Sequence, residues 1–247
     1  MDISFTNLRN DSDDNENDND NDEVLPSEDQ QLIRHHVNAV NAEIVIRQLA
    51  SQGIAFQLWP AASTLLSLLD NHRILHPFLR RDNCRLRLLE LGSGTGLVGI
   101  AAAAILGADV TVTDLAHVIP NLDFNIAANA EVVGSGGGKL VAAELGWGNV
   151  EQMEVIGKGF DVVLGSDLVY HDHSYEPLLE TLKYFLLSLG DEEKVFVMAH
   201  VKRWNKEAVF FKRARKVFSV DVIHRDPPVD GKRGGVIVYR FVAKPRK

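Results

Sequence analysis

The middle of the chain alternates between short apolar runs and longer segments in which apolar residues recur at helical spacing. Short apolar runs bounded by turn residues are typical of buried strands, and the longer periodic segments are typical of helices packed on them. The pattern predicts strands at 86–91, 109–113, 139–142, 160–165 and 194–199, alternating with helices at 96–106, 117–129, 176–187 and 206–217. Repeated β/α alternation predicts a doubly wound parallel sheet.

The two flanks of this core have patterns of their own. Segments 33–40 and 43–49 alternate apolar and polar residues and predict an N-terminal β-hairpin, and a helix is predicted at 61–69 behind a proline at its first turn. Segments 220–224 and 235–242 predict two last strands, joined through proline- and glycine-rich residues. We expect these two strands to close the sheet as an antiparallel pair.

Composition bounds the domain count. The chain has 247 residues, of which 45% are hydrophobic, enough for one α/β core. Residues 1–31 contain eleven acidic residues and one base, Arg9. Because such an Asp- and Asn-rich segment buries too little apolar surface to fold, we expect residues 1–28 to be a disordered acidic tail. Residues 29–247 would then form a single domain.

Other features bear on the cellular compartment. Cys84 is the one cysteine, which excludes an intramolecular disulfide and a cysteine-based metal site. No apolar run reaches the length of a membrane span, and the acidic N-terminus is unlike a signal or transit peptide. We therefore expect a soluble protein of the cytoplasm, also able to reside in the nucleus.

The most informative segment joins the first core strand to the helix behind it. Residues 86–99 spell LRLLELGSGTGLVG, with Glu90 ahead of Gly92, Gly94 and Gly96. Glycines let the backbone turn sharply and approach a ligand closely, and the helix start offers free N–H groups. A dinucleotide fingerprint would need glycine at the sixth position, which is Leu97. This strand, turn and helix predict a nucleotide-type cofactor site of another kind.

Further polar residues follow two other predicted strands. Asp114 follows the strand at 109–113 and is placed to accept hydrogen bonds from a ribose diol. Asp167 and Tyr170 follow the strand at 160–165. Because ligands of open parallel sheets bind beyond the carboxyl ends of the strands, these side chains are predicted beside the crevice that the glycine loop faces.

Five segments, in this order, resemble the seven-β-strand protein-lysine methyltransferases, the methyltransferase-like family 16 group. They are Trp59-Pro60-Ala61-Ala62, the stretch Leu89–Ile100, Thr113-Asp114, Leu145-Gly146-Trp147-Gly148 and Asp167-Leu168-Val169-Tyr170. The resemblance spans residues 45–242 and implies a Rossmann-like sheet of seven strands with helices on both faces. It also implies S-adenosylmethionine (SAM) as cofactor and a protein lysine as acceptor, with chaperones, ATPases and translation factors among the family's substrates.

The resemblance assigns a role to each matching residue. Gly92, Ser93 and Gly94 would line the methionine end of SAM, Glu90 would brace the loop, and Asp114 would hold the ribose hydroxyls. The other cofactor-binding assignments are Gly96 in the loop, Trp147 beside the adenine, Trp59 closing over the cofactor, and Ser166 where alanine is more usual.

Asp167 and Tyr170 are the catalytic residues that the resemblance implies. Asp167 would attract and orient the target lysine, and Tyr170 would add a hydrogen bond and an aromatic wall. A lysine ammonium has no lone pair with which to attack, and a carboxylate alone raises the pKa of an amine. Deprotonation of the lysine therefore also requires desolvation or a path for water. No metal is required.

Structural interpretations compete with these roles. Asp167 could cap a following helix, Tyr170 could be a packing residue, and Trp59 and Trp147 could belong to the core. Trp204 matches no family segment and is assigned to the core. The sequence His171-Asp172-His173 lacks a further residue spaced to complete a metal site.

Other functions remain open from the sequence. One is methyl transfer to a nucleic-acid amine, although the Asn/Asp-Pro-Pro-aromatic motif of such enzymes is absent. Another is a SAM-binding interaction module without turnover. The basic residues between 202 and 216 are predicted to form a solvated helix face rather than a nucleic-acid surface. We expect a monomer that binds neither membrane nor nucleic acid.

Overall fold

The computed structural model describes residues 30–71, 85–187, 194–228 and 234–245. The acidic tail predicted at 1–28 and the single cysteine, Cys84, lie outside these residues. Within the described part of the chain, no helix combines the length and the apolar character needed to cross a bilayer.

Seven strands form one sheet. Five are parallel, namely β3 (Arg87–Leu91), β4 (Asp109–Asp114), β5 (Lys139–Glu144), β6 (Val162–Ser166) and β7 (Val195–Val201), and they are followed by β8 (Phe218–Arg225) and β9 (Val236–Ala243). The order across the sheet is β5-β4-β3-β6-β7-β9-β8, with β9 antiparallel to both of its neighbours. The predicted sheet and its closing antiparallel pair are confirmed. The chain reverses its direction of winding between β3 and β6, which is where ligands bind in such sheets.

Helices cover both faces of the sheet, as predicted. They are α1 (Pro60–Asp70), α2 (Leu97–Leu106), α3 (Ile119–Ala128), α4 (Ala130–Ser135), α5 (Val150–Ile156), α6 (Tyr175–Leu186) and α7 (Ala208–Ala214). Side chains of the central strands alternate between the two faces. In β6, for example, Val162 and Leu164 pack in the cluster that contains α1 and α2, whereas Val163 packs in the cluster that contains α6 and α7.

The observed helices differ from the predicted ones in three places. The helix predicted at 117–129 is present as α3, but the short helix α4 that follows it is absent from the prediction; the backbone leaves helical geometry between the two at Asn129, whose φ is −115°. Helix α5 is absent from the sequence prediction because it has seven residues and buries one of them, Met153, which leaves almost no periodic apolar signal. The helix predicted at 206–217 covers Ala208–Ala214, after a 3-10 turn at Asn205–Glu207.

The predicted N-terminal hairpin, β1 (Gln30–Val37) and β2 (Ala42–Leu49), is present and is attached by asparagines. Asn129 accepts from the Val45 N–H and donates to its carbonyl, both at 2.8 Å, so the side chain pairs with the strand as a neighbouring strand would. Asn125 accepts from the Arg47 N–H at 2.8 Å and donates to the carbonyl of Thr95 at 2.9 Å. Because Thr95 belongs to the glycine loop, Asn125 joins the hairpin to that loop.

Candidate active site

The loop between β3 and α2 has a conformation that glycine adopts without strain. Gly92, Gly94 and Gly96 have φ angles of +56°, +56° and +83°. A Cβ on Gly92 would lie 3.0 Å from Cζ2 of Trp147, and a Cβ on Gly94 would lie 2.8 Å from the carbonyl oxygen of Ala55. Both the backbone angles and the close neighbours therefore require glycine at these positions.

Hydrogen bonds tie this loop to the end of β4. The Ser93 N–H donates to the Thr113 carbonyl at 2.9 Å, and the Thr113 N–H donates to Ser93 Oγ at 3.0 Å. Asp114 accepts from the Gly94 N–H at 2.7 Å and from the Leu115 N–H at 2.8 Å. Burial raises the pKa of Asp114 above its usual value despite these donors. The predicted ribose acceptor thus also fixes the position of the loop.

Glu90 is buried beneath the same loop. Its Oε2 accepts from the Gly99 N–H at 2.9 Å, and its carbonyl accepts from Thr113 Oγ1 at 2.7 Å. Its other carboxylate oxygen, Oε1, is buried without a hydrogen-bond partner. Burial raises the pKa of Glu90 to about 8. Glu90 therefore joins β3 to the first turn of α2 and to β4, and its carbonyl also accepts from Ser93 Oγ of the glycine loop at 3.3 Å.

A cavity of about 710 Å³ lies beyond the carboxyl ends of β3, β4 and β6. Ten of the eleven predicted site residues line it: Trp59, Glu90, Gly92, Ser93, Gly94, Asp114, Trp147, Ser166, Asp167 and Tyr170. Gly96 does not line the cavity, since it is the N-cap of α2, where a Cβ would lie 2.8 Å from Cδ2 of Leu122. Gly96 shapes the turn instead.

Three tryptophans line the cavity, one of them unexpectedly. Trp59 is 37% exposed and its Nε1 donates to the carbonyl of Ile54 at 2.9 Å. Trp147 is half-buried against Gly92. The assignment of Trp204 to the core is wrong, because its side chain is 49% exposed and lies on the cavity wall. Trp204 stands at the start of the 3-10 turn, where its backbone N–H donates to Glu207 at 3.2 Å.

Asp167 is buried at the end of β6 in an uncommon conformation. Its φ is +57°, in the left-handed region that residues other than glycine rarely adopt. Arg203 donates to both carboxylate oxygens, with Nη1 3.0 Å from Oδ1 and Nη2 2.8 Å from Oδ2, and the Val201 N–H donates to Oδ1 at 2.9 Å. Although burial opposes ionisation, these donors, together with His200, hold the pKa of Asp167 below its usual value. The helix-cap interpretation is wrong, since none of these donors belongs to a following helix.

A second layer of polar residues lies behind Asp167. The imidazole of His200, which is fully buried, has Nδ1 3.4 Å from Asp167 Oδ1 and Nε2 3.0 Å from Glu207 Oε2. Glu207 is itself buried and accepts from the Arg203 N–H at 3.2 Å. No sequence pattern assigns a role to Arg203 or Glu207, because their partners are fixed by the meeting of β6 with the end of β7.

Tyr170 follows Asp167 by three residues and lines the same cavity. Burial and the nearby charge of Asp114 raise the pKa of Tyr170, so the hydroxyl stays protonated at neutral pH. Its ring centroid lies 4.7 Å from that of His171, and His171 stacks on His173 with centroids 5.1 Å apart. Across the described ranges, no group of three His, Cys, Asp or Glu side chains is placed to hold a metal ion.

The cofactor side of the cavity fits SAM. The glycine positions leave no side chain between the loop and a ligand, and the buried Oε1 of Glu90, which has no hydrogen-bond partner in the protein, can bond to a polar group of the ligand. Asp114, at the end of the second parallel strand, is the acidic residue that nucleoside-binding sheets place near a ribose. Trp59 and Trp147 offer aromatic surfaces to a flat base.

Comparison with known proteins agrees with this geometry. A family model described as lysine methyltransferase matches residues 38–217. Protein N-lysine methyltransferase METTL21A of Danio rerio is 36% identical over 192 residues, which cover 77% of this chain and 78% of that protein. EEF1A lysine methyltransferase 3 of Mus musculus is 30% identical over 189 residues, which cover 76% and 72% of the two chains.

A solved structure, P. horikoshii TYW2 in complex with MeSAdo, has the same fold. It superposes with a TM-score of 0.55 at 12% identity, covering 90% of this chain and 74% of the other. The predicted family resemblance is therefore confirmed, and with it the Rossmann-like fold and the cofactor. The chain belongs to the family of SAM-dependent lysine methyltransferases.

Proposed function

We propose that the chain methylates a lysine of a protein substrate at the end of the cavity formed by Asp167 and Tyr170. The observation that carries this proposal is the shared cavity. The glycine loop, Asp114 and the Asp167–Tyr170 segment all open onto it from neighbouring strand ends. A target side chain that enters beside Asp167 would therefore meet the cofactor side directly.

Each residue has a specific task in this scheme. When bound, SAM supplies a methyl group on a sulfonium sulfur. The lone pair of a neutral lysine amine would attack this methyl carbon, and the sulfur would keep the electrons of the broken carbon–sulfur bond. Asp167 orients the amine through its carboxylate, and the protonated hydroxyl of Tyr170 offers a further hydrogen bond. The tryptophans at the rim exclude water. Most of the rate enhancement would come from positioning.

The substrate proposal is narrower than the family. The name EEF1A lysine methyltransferase 3 says that this relative acts on EEF1A. EEF1A is therefore the first substrate to test, followed by chaperones and ATPases, which the family resemblance also suggests. We further propose that the chain acts as a monomer in the cytoplasm or the nucleus.

Transfer of labelled methyl groups tests this proposal. Purified EEF1A and, separately, a whole-cell extract would be incubated with radiolabelled SAM and either wild type or Asp167→Asn. We expect a discrete labelled protein with wild type alone, with the label on lysine after hydrolysis. Asp167→Asn keeps the shape of the side chain and removes its charge. Label on a nucleic acid, or SAM binding with no transfer to any protein, would contradict the proposal.

A further inference from the structure

Arg203 is paired with the carboxylate that the proposed function assigns to the target lysine. The guanidinium binds both oxygens of Asp167 in a parallel pair of hydrogen bonds, at 3.0 and 2.8 Å. Such bidentate hydrogen bonds between arginine and a carboxylate are among the strongest that side chains make. Either the lysine displaces Arg203, or Arg203 remains and the lysine binds beside it.

The surroundings of Arg203 favour the second arrangement. Its backbone N–H donates to both carboxylate oxygens of Glu207 at 3.2 Å, and its guanidinium lies 5.4 Å from the ring centroid of Trp59. The side chain is 25% exposed, whereas an arginine on the neighbouring helix, Arg213, is 48% exposed. Arg203 is thus built into the cavity wall.

Asp167 retains room for one more donor. An ionised carboxylate has about four lone-pair positions. Oδ1 accepts from Val201 and from Arg203 Nη1 and has His200 Nδ1 3.4 Å away, whereas Oδ2 accepts from Arg203 Nη2. One position on Oδ2 is therefore available to an incoming amine while Arg203 stays in place.

The charge of the pair decides which form of the lysine is bound. A lone carboxylate stabilises the ammonium and raises the pKa of the amine, which opposes methyl transfer. A guanidinium beside the carboxylate cancels most of this effect, yet leaves the oxygen able to accept a hydrogen bond. The lysine ammonium then loses its proton to water at a lower pH than it would beside an unpaired carboxylate.

We propose that Arg203 is a permanent counter-ion of Asp167, which lets Asp167 position the target lysine without stabilising its ammonium form. The proposal rests on the proposed function of Asp167. It makes Arg203 a positioning residue, since it acts on the lysine through the carboxylate.

Several other titratable or charged groups surround the same position. His200 contacts Asp167, and Glu207 lies behind His200. The other such groups that line the cavity are Glu90, Asp114, Tyr170, His171, His173 and Lys206. None of them changes in the variants below, so a shift between variants reports the charge at position 203.

The test compares three variants with wild type. Arg203→Met removes the positive charge, and Arg203→Lys keeps it without the bidentate contact to Asp167. Arg213→Met is the control, since it removes an arginine charge outside the cavity. Arg213 pairs with Glu176 at 3.0 Å in a solvent-exposed ion pair. Initial rates of label transfer from saturating radiolabelled SAM into protein lysine of a cell extract would be measured from pH 6.5 to 10. Calorimetry would give the SAM dissociation constant of each variant.

We expect the alkaline rise of the rate to move upward by about one pH unit in Arg203→Met, which is about a tenfold loss near neutral pH. Arg203→Lys and Arg213→Met should keep the wild-type midpoint, and all variants should keep the wild-type SAM affinity. A uniform loss of rate in Arg203→Met with an unmoved midpoint would overturn the proposal. So would a faster rate near neutral pH, because it would mean that Arg203 blocks the lysine.

Failure of this proposal is distinguishable from failure of the proposed function. If wild type binds SAM and labels no protein lysine at any pH, the proposed function fails. If wild type labels lysine and the midpoint of Arg203→Met does not move, the role of Arg203 alone fails.

Discussion

The two sides of the cavity are held together by different interactions. On the cofactor side, backbone groups of the glycine loop bond to β4 and to Asp114. On the acceptor side, buried side chains hold one another, from Arg203 through Asp167 and His200 to Glu207. An added side chain in the glycine loop would disrupt the first arrangement, whereas the loss of a charge would disrupt the second. We therefore expect substitutions to separate cofactor binding from methyl transfer.

The strongest way to break the cofactor side is a side chain in the glycine loop. Gly94→Val places a branched residue at a φ of +56°, with its Cβ 2.8 Å from the carbonyl oxygen of Ala55. Left-handed backbone costs such a residue about 1–2 kcal/mol before the clash is counted. We expect SAM affinity to fall more than about a hundredfold. Calorimetry measures this change in affinity.

The control for this prediction is another glycine. Gly134, in α4, has no neighbouring atom within 4 Å of the place that a Cβ would occupy, and its φ is not positive. Gly134→Ala should leave SAM affinity as in wild type. Tight SAM binding by Gly94→Val would mean that the loop does not approach the ligand.

Glu90 tests the cofactor side of this comparison, because it is a fully buried carboxyl beneath the glycine loop. Its pKa rises from 4.5 to about 8 in the folded protein, so the unfolded chain releases this proton at lower pH. The stability that this group contributes is therefore lost as pH rises from the unfolded pKa through the folded one. Glu90→Gln cannot ionise, and we expect its free energy of unfolding to fall less than that of wild type between about pH 5 and 8, by roughly 3–4 kcal/mol.

Denaturant unfolding at several pH values measures this difference. Every other titrating group is shared by wild type and Glu90→Gln, so subtraction of the two curves isolates Glu90. Parallel curves would show that the carboxyl titrates in its ordinary range and that the cavity floor is better solvated than its burial suggests.

The smallest effect that we expect concerns the link between the hairpin and the loop. Asn125→Ala leaves the Arg47 N–H and the Thr95 carbonyl without this partner. The free energy of unfolding should fall by about 1–2 kcal/mol, and SAM affinity should weaken a few-fold as the loop loosens. Asn71→Ala, at an exposed helix end, is the control and should change stability by about 0.5 kcal/mol or less. If Asn125→Ala were as stable as Asn71→Ala, the proposed link between the hairpin and the glycine loop would be contradicted.

What could be predicted from the sequence follows the same division. The strands, the glycine loop and Asp114 depend on neighbouring residues, and their periodicity and spacing are visible in the chain. The pairing of Asp167 with Arg203 joins residues 36 positions apart, and it exists because β6 and β7 are adjacent. In the sequence, Arg203 is one of a run of bases with no feature that distinguishes it.

The same reasoning explains the errors in the fold. The prediction of a helix at 117–129 omits the short helix α4, which is separated from α3 at Asn129, where the side chain bonds to the backbone of Val45. Trp204 belongs to none of the family segments, so the sequence predicts a core position for it. In the structure, Glu207 stabilises the 3-10 turn at whose start Trp204 lies, and the side chain of Trp204 lines the cavity. Both outcomes depend on hydrogen bonds to distant or buried partners, which hydrophobic patterns do not encode.

One paired measurement separates the two sides of the cavity. SAM affinity by calorimetry and methyl transfer to protein lysine would be measured on Asp114→Ala and Asp167→Asn in parallel with wild type. We expect Asp114→Ala to weaken SAM binding by about tenfold or more, and Asp167→Asn to bind SAM as wild type does while transfer is lost. Full transfer by Asp167→Asn, or unchanged SAM affinity in Asp114→Ala, would contradict the division of the cavity into a cofactor side and an acceptor side.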